Sequence, residues 1–431
     1  MKSINIGLIG FGTVGSGVVK ILSERKNFLM QKVGIDIKVK RICDKEIGVK
    51  RDVRVDRNIL GRDVKEILND PQIDIVVELI GGMHPAKEYL IEALKKGKHI
   101  VTANKALLAE SGQELFALAH DRAKNIYFEA SVGAGIPIIK SLREGLVANR
   151  FSRIFGILNG TSNFILSKMS RDNCDFSRAL KEAQAQGFAE KDPSLDIEGV
   201  DSAHKLILLT YLCFGRLVKM EEVLTEGISR ISLLDINYAK ELGFRIKLLG
   251  IANKEDNELE VRVHPTLIPR DHLLSSVDGV FNAIYISSDL AGDLLFYGPG
   301  AGQLSAASGV VADLVDLTRD IQAGLFRPTS NIVLDKSVHK IRERDNFKSR
   351  YYIRFMAMDK PGVLAKISGI LAKFNISIAS VTQKERRKAQ AVPIVMIIHE
   401  AKERDLRSAL QMIDKMAAIR EKAVAIRMEE V

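Results

Sequence analysis

Residues 187–205 read GFAEKDPSLDIEGVDSAHK, a stretch in which Glu190, Asp192, Asp196, Glu198, Asp201 and Lys205 hang on Gly187, Pro193 and Gly199. Asp201 and Lys205 are four apart, so on a helix they share one face. As an exposed pair they would contribute about 0.3–0.5 kcal/mol and carry little meaning. The adjoining residues argue otherwise. LILLTYL at 206–212 leaves the helix no solvated face, and ionisable groups are rarely buried without a partner or a purpose. Carboxylates grip an α-ammonium through charge-assisted hydrogen bonds, and a lysine ammonium donates a proton to an oxygen or clamps it. The cluster therefore points to an amino-acid substrate, against the plainer alternative of a solvated acidic loop.

A second group of residues supplies a redox partner. The apolar run SINIGLI at 3–9 passes directly into GFGTVG, so Gly10, Gly12 and Gly15 fit G-x-G-x-x-G. The first glycine allows the tight turn, the second lets backbone approach a pyrophosphate, and the third lets helix lie on strand. The helix from about Val14 to Glu24 then aims its free N–H groups at the diphosphate. Asp44, at the end of the second strand, suits ribose hydroxyls and NAD, or is an ordinary turn residue. Lys45, Lys50 and Arg51 just beyond suit a 2′-phosphate, so NAD and NADP both stay open. A dinucleotide site beside an amino-acid site makes the reaction class alcohol–aldehyde hydride exchange. Cys43 reads as strand and Cys213 as apolar helix, so neither offers a thioester-forming nucleophile.

The elements that position these groups alternate as a doubly wound sheet requires. Strands are expected at 35–42, 73–80, 99–102 and 125–129, and helices at 85–96 and 106–124. The loops Gly81–Pro85 and Thr102–Lys105 fall at carboxyl ends of strands, where such sheets bind ligands, and that raises Lys105 above an exposed first-turn lysine. Beyond Glu129, Pro137 opens a helix, 153–160 reads as a strand, and TSNFIL starts another helix with Thr161 or Ser162 as cap. Strands near 259–264, 283–288 and 294–297 join 153–158 in a second sheet, and Leu304–Arg319 returns as a helix to the first domain. His204, His264 and His272 lack ligand spacing and read as satisfied side chains.

Bulk properties narrow the class. A chain of 431 residues is too long for one ordinary domain, and 46% hydrophobic with 27% charged residues describes a globular enzyme. No apolar run is long enough to cross a bilayer, and MKSINIGLIGFG does not read as a signal peptide. Three scattered cysteines suggest free thiols in a reducing cytoplasm. The net charge of +10 is spread out, with only short clusters such as KERRK at 384–388, so neither nucleic acid nor membrane is expected as a partner.

Six motifs in one order, GFGTVG, TANK at 102–105, EASVGAGIPII at 129–139, NGTSNFIL at 159–166, GFAEKDPSLDIEGVDSAHKL at 187–206 and YGPGAG at 297–302, resemble homoserine dehydrogenase across nearly the whole chain. The resemblance implies NAD(P)-dependent interconversion of L-homoserine and L-aspartate 4-semialdehyde in threonine, methionine and isoleucine biosynthesis. It implies Lys205 as proton donor and acceptor, with Lys105 assisting catalysis at cofactor and substrate. It implies Glu190, Asp196 and Asp201 around the homoserine amine, and Phe11, Thr13, Val14, Gly187 and Gly302 lining the cofactor beside the three glycines. It further implies a structural sodium ion on Glu129 and on carbonyls of Val132, Ala134 and Ile136.

The tail reads as a separate module. Strand, helix, strand, strand, helix, strand are expected at 351–357, 361–374, 377–383, 391–399, 402–416 and 423–428, a ferredoxin-like βαββαβ order. The turn Asp359-Lys360-Pro361-Gly362, with Asn375 and Ser377 nearby, resembles an ACT module, which implies amino-acid feedback, threonine first, at paired copies. The alternative is a dimerising appendage without ligand. The expected organisation is an α/β chain. A Rossmann domain spans 1–135 plus about 300–325, an α+β substrate and dimerisation domain with a mixed sheet spans 136–300, a linker 326–349, and the ACT domain 350–431. A homodimer or homotetramer is expected. Two other readings stand beside it: another ACT-tailed Rossmann dehydrogenase of a small acid, and a non-catalytic amino-acid sensor.

Overall fold

A computed structural model describes residues 3–327, 340–384 and 390–430. The chain opens with β1 (Ser3–Ile9), α1 (Thr13–Glu24), α2 (Lys26–Val33), β2 (Asp36–Cys43), β3 (Leu60–Gly61), α3 (Lys65–Leu68), β4 (Ile75–Glu78), α4 (Ala86–Lys95), β5 (His99–Thr102), α5 (Lys105–Asp121) and β6 (Ile126–Tyr127). There follow α6 (Ile138–Lys140), β7 (Phe151–Ile157), α7 (Gly160–Asp172), α8 (Phe176–Ala185), α9 (Ser194–Ile197) and α10 (Val200–Phe214). Next come β8 (Leu224–Thr225), α11 (Leu233–Glu241), β9 (Phe244–Glu255), β10 (Glu258–Pro269), β11 (Phe281–Ser288), β12 (Gly292–Pro299) and α12 (Gln303–Ala323). The tail holds β13 (Lys340–Ile341), β14 (Lys348–Met358), α13 (Val363–Lys373), β15 (Ile378–Thr382), β16 (Ala391–Lys402), α14 (Glu403–Asp414) and β17 (Ile419–Met428).

The described residues divide into two compact units. One comprises Met1–Arg153, Ala203–Glu221 and Val280–Val338, and the other Ile154–Ser202, Glu222–Gly279 and His339–Val431. The segment 136–300, expected from the sequence to be one domain, is thus shared between them.

In the first unit six strands pair in parallel in the order β3-β2-β1-β4-β5-β6. A parallel sheet is covered on both faces, which is why β1 and β4 read as near-continuous apolar runs. Ile4, Ile6 and Leu8 of β1 pack with Val18 and Leu22 of α1 and with Val310, Leu314 and Leu317 of α12, all buried. The late helix therefore does return to the first sheet. β11 and β12 form an antiparallel hairpin. Leu60–Gly61 adds an edge strand that two residues of pattern do not announce.

The second unit contains a twelve-residue hairpin of β9 and β10. Of these two strands, β9 was not foreseen from the sequence. Its residues FRIKLLGIANKE set an apolar run between Arg245, Lys247 and Lys254, and short-range periodicity separates such short runs poorly into strand and helix. The tail forms the expected βαββαβ sandwich, with strand order β17-β14-β16-β15. Its core joins Ile353 and Phe355 of β14 to Ile367 and Leu371 of α13 and Leu406 and Ile413 of α14. β17 also pairs in parallel with β10, at Thr266 with Arg427 and Leu267 with Met428, so the tail's sheet continues that of the hairpin.

Within the expected linker, residues 328–339 lie outside the described residues, as do 385–389, which take in 385–388 of the basic KERRK cluster. Residues 340–349 are packed. Lys340 and Ile341 pair with β10, and Arg342 binds Glu255, Glu258 and Glu260.

Candidate active site

Each glycine of the opening turn is required for a different reason. Gly10 has φ of +99°, and a Cβ there would lie 2.7 Å from the Leu79 carbonyl carbon. A Cβ on Gly15 would lie 2.1 Å from the Gly10 oxygen, so α1 sits directly on the turn. A Cβ on Gly12 meets nothing within 4 Å, which leaves this side open to a ligand backed by the free N–H groups of α1. Thr13 and Gly12 are exposed, Phe11 is buried, and Val14 is half-buried. The Gln303 amide donates to Ser16 Oγ at 3.0 Å, bringing Gly302, the residue before α12, to the start of α1.

Asp44 is occupied as a turn residue. Its carboxylate accepts the Phe11 N–H at 2.5 Å and the Glu46 N–H at 2.7 Å, and Arg51 pairs with it at 3.5 Å. The Arg51 guanidinium stacks on the Phe11 ring, 4.7 Å from its centroid, and donates to the carbonyls of Phe11, Val49 and Glu46. Of the four ribose-side candidates, Lys45 and Lys50 are the exposed ones.

A polar network sets Lys105. Buried Glu78, the last residue of β4, accepts the N–H groups of Ile80 and Gly81 at 2.9 and 3.1 Å and the Thr102 hydroxyl at 2.6 Å. Thr102 Oγ1 in turn accepts the Asn104 N–H at 3.0 Å. The Asn104 amide donates to the Gly82 carbonyl at 2.7 Å, and its oxygen caps α5 on the Leu107 N–H at 3.2 Å. The Gly81-Gly82 and TANK loops are thereby tied together, and Lys105 is the first residue of α5. Sequence reasoning singled out both loops but missed Glu78 and Asn104; a carboxylate ending an apolar strand was the available signal.

Lys205 lies on α10 and is 8% exposed, as is Asp201 on the same helix. Within the first unit α10 runs beside α5. His204 Nε2 is 3.6 Å from Glu110 Oε1, and the rings of Tyr211 and Phe116 stack at 5.4 Å, 7° from parallel. The contacts advance in the same direction along both helices. Lys205 and Lys105 accordingly lie toward the same, N-terminal, end of this pair.

In the second unit Asn159 gathers the acidic loop. Its amide donates to Asp196 Oδ1 at 2.7 Å and to Asp201 Oδ2 at 2.9 Å, while its own oxygen caps α7 on the Ser162 N–H at 2.8 Å. The helix cap is therefore Asn159, correcting the expectation of Thr161 or Ser162. Asn159 has extended backbone and an oxygen three residues before a free N–H, while both hydroxyls are drawn away, Ser162 to the Asp196 carbonyl and Thr161 to the Phe188 carbonyl. The structure thus joins Asp196 to Asp201. Glu190 is exposed on the loop after Gly187, also exposed, with its backbone carbonyl 3.1 Å from the Gln184 amide.

The turn at 129–140 closes around the Glu129 side chain. The Glu129 carboxylate is 5% exposed and accepts the N–H groups of Ile139 and Lys140, both at 2.8 Å, while its own N–H donates to Asp313 Oδ2 at 2.7 Å. Burial pushes Glu129 up to about 7, and burial plus the Glu129 charge pushes Asp313 well above the carboxylate range. Val132, Ala134 and Ile136 are buried, and Ala134 has φ of +48°. Among the described residues no group of three or more His, Cys, Asp or Glu side chains is arranged for a metal, so any cation here would rest on backbone oxygens as well. Asp313, a charge inside the apolar stripe of α12, was a signal in the sequence that went unused.

The three cysteines are poor nucleophiles. Burial pushes the Cys43 thiol up to about 11, and Cys174 and Cys213 are raised by the same cause. His264 is buried and bonded to Arg262, Thr266 and the Pro265 carbonyl.

A parallel six-stranded sheet with an open glycine turn, a lysine framed at the carboxyl edge, a buried lysine on a neighbouring helix and a βαββαβ tail define an NAD(P)-dependent oxidoreductase acting on a CH–OH group. Family models agree in three segments: the homoserine dehydrogenase NAD-binding domain at 10–129, homoserine dehydrogenase at 137–315 and the ACT domain at 351–417. The chain belongs to the homoserine dehydrogenase family. It is 43% identical over 432 residues to the homoserine dehydrogenase of Neisseria gonorrhoeae, covering 100% of this chain and 99% of that one. A crystal structure of a homoserine dehydrogenase from Thiobacillus denitrificans is 43% identical with a TM-score of 0.90, covering 100% of this chain and 99% of that one. A hyperthermophilic archaeal homoserine dehydrogenase in complex with NADPH is 29% identical with a TM-score of 0.63, covering 75% of this chain and 100% of that one.

Proposed function

We propose that this chain interconverts L-homoserine and L-aspartate 4-semialdehyde, with Lys205 moving the proton at the substrate oxygen. The observation that carries the residue assignment is a lysine buried on α10 at the same end of the helix pair as Lys105. Oxidation of the alcohol removes a hydride from carbon and a proton from oxygen; the nicotinamide, when bound, takes or supplies the hydride. Lys205 receives or returns the proton, and Lys105 stabilises charge on the same oxygen. Asp196 and Asp201, paired through Asn159, offer carboxylate oxygens to the α-ammonium, with Glu190 on the adjoining loop. Gly10, Gly12, Gly15, Phe11, Thr13 and Val14 line the dinucleotide, together with Gly187 and Gly302. The dinucleotide is NADP or NAD, and the NADPH bound to the archaeal relative supports the phosphorylated form.

We also propose that a sodium ion occupies the 129–136 turn. Two buried carboxylates repel one another there, and one cation on Glu129 and the carbonyls of Val132, Ala134 and Ile136 would offset that repulsion. We further read the ACT tail as a feedback sensor for an amino acid, threonine first, working in a homodimer or homotetramer of a cytoplasmic enzyme. No helix among the described residues is long and apolar enough to cross a membrane.

The test is absorbance at 340 nm with L-homoserine and either cofactor, with and without threonine. Cofactor reduction dependent on L-homoserine is expected, with none from 2-hydroxy acids. Activity only on a 2-hydroxy acid would favour the other dehydrogenase reading. Cofactor binding without turnover on any of these substrates would favour the sensor.

A further inference from the structure

The second unit holds a pocket that none of the residues assigned to substrate or dinucleotide lines. It lies between the later part of α7, α11, β9 and the turn before β11, with a volume of about 270 Å³. Lys168, Arg171, Lys240, Arg245, Lys247 and Arg270 line it, with Asp278 as the facing carboxylate, over an apolar floor of Phe164, Ile236 and Phe244. We propose that this pocket is a binding site for a small phosphate-bearing anion.

The cations differ in how far they are already neutralised. Lys247 is 2% exposed, and its ammonium donates to the Val277 carbonyl at 2.5 Å, Asn163 Oδ1 at 3.2 Å and Asp278 Oδ1 at 3.0 Å. All three of its protons are spent, so it acts through charge alone. Arg245 uses Nη1 on Asp278 and on the Ser275 carbonyl, leaving Nε and Nη2 for a further acceptor. Lys168 and Arg171 share Asp172, and Lys168 also meets Glu182. Lys240 and Arg270 stand within ion-pair distance of no carboxylate among the described residues.

Six cations around one cavity repel each other, and Asp278 is already shared by two of them. Their neighbours hold the Asp278 carboxyl below the usual range, so it is ionised and has no further charge to offer. The excess is fixed by folding, because Lys247 is held from three sides and Arg270 sits on a turn tied by Ser275 Oγ to the Arg270 carbonyl at 2.7 Å. Such an arrangement is favourable when an anion fills it. A phosphate suits the donors: guanidinium groups bind it in a fork and ammonium groups as point charges. The enclosed size excludes a nucleic-acid track, and the apolar floor admits a short carbon chain on the phosphate.

The experiment uses the full chain saturated with NADPH, so that phosphate positions along the glycine turn are filled. The thermal midpoint is followed against inorganic phosphate and against glycerol 3-phosphate, with chloride holding ionic strength constant. Both should raise it saturably, the ester more strongly because of the apolar floor. Two exposed donors are removed in Lys240→Ala/Arg270→Ala, which should weaken binding about tenfold or more, on the order of one or two lost charge-assisted hydrogen bonds. The Lys366→Ala/Arg420→Ala pair, on the separate basic cleft of the ACT module, should bind as the parent does. The proposal fails if chloride alone reproduces the shift, or if the Lys240/Arg270 variant binds unchanged. It fails equally if the ACT pair is the one that loses binding.

Discussion

Arg354 of β14 donates from Nε to Asp235 Oδ1 at 2.7 Å and from Nη2 to Oδ2 at 3.1 Å, with both side chains buried. Asp235 also forms the capping box of α11 with Ser232 and accepts the Tyr352 hydroxyl at 3.1 Å. One carboxylate thus starts a helix of the substrate region and grips a central strand of the ACT module. Removing one member of a buried, fully bonded pair leaves the other charge stranded, at a cost of about 3–5 kcal/mol. Asp235→Ala should lower stability by about that amount in urea titration, and Arg354→Met by less, because Asp235 keeps the bonds from Ser232 and Tyr352. Threonine response, where present, should weaken in both.

Lys205→Ala should reduce kcat by about 10²–10⁴-fold, the usual contribution of a general acid–base group. NADPH affinity, read by fluorescence titration, should hardly change, because the glycine turn is left intact. Turnover at the parental rate would remove Lys205 from the mechanism.

The Rossmann half was legible because its signals are local. A strand, three glycines at fixed spacing and a helix are contiguous, and each glycine has its own steric reason. The ACT order was legible for the same reason, as alternation of short elements. Asn159 was not, since its importance lies in meeting Asp196 and Asp201, 37 and 42 residues away. Asp44 was legible only as a choice between a ribose ligand and a turn residue, and its carboxylate, turned to the Phe11 N–H, takes the second. Residue types limit what a side chain can do; long-range folding decides which of its options is used.

His99, at the start of β5, accepts the Asn125 N–H on Nδ1 at 3.1 Å, a bond that needs the neutral ring. Burial, with help from Lys124, pushes it down from 6.5 to about 4. A histidine depressed on folding binds its proton more readily in the unfolded chain. Its contribution to stability is therefore complete above about pH 6.5 and is lost as pH falls towards 4. The size is at most about 3.5 kcal/mol, at about 1.36 kcal/mol per unit. His99→Gln should have a shallower fall in thermal midpoint between these limits than the parent; parallel curves would contradict this.

Replacing sodium with a bulky organic cation should lower the thermal midpoint if Glu129 holds the ion. Glu129→Gln keeps the shape of the side chain and removes its charge, so it should make the midpoint indifferent to the cation. A sodium effect that survives in the variant would move the ion elsewhere.

Asn159 offers the sharpest separation of architecture from binding. Its oxygen caps α7 and its amide holds Asp196 and Asp201 together. Asn159→Ala loses both, so stability should fall by about 0.5–2 kcal/mol, the usual worth of a cap, and KM for L-homoserine should rise. Asn159→Asp keeps an oxygen on the Ser162 N–H but sets a third carboxylate against the other two. Repulsion then spreads the pair that the amide had gathered. This variant should keep the cap and still show a KM for homoserine raised about tenfold, with KM for cofactor unchanged. If instead both variants lose stability and neither changes KM, the carboxylates do not hold the amino group, and their pairing through Asn159 serves only to close the loop.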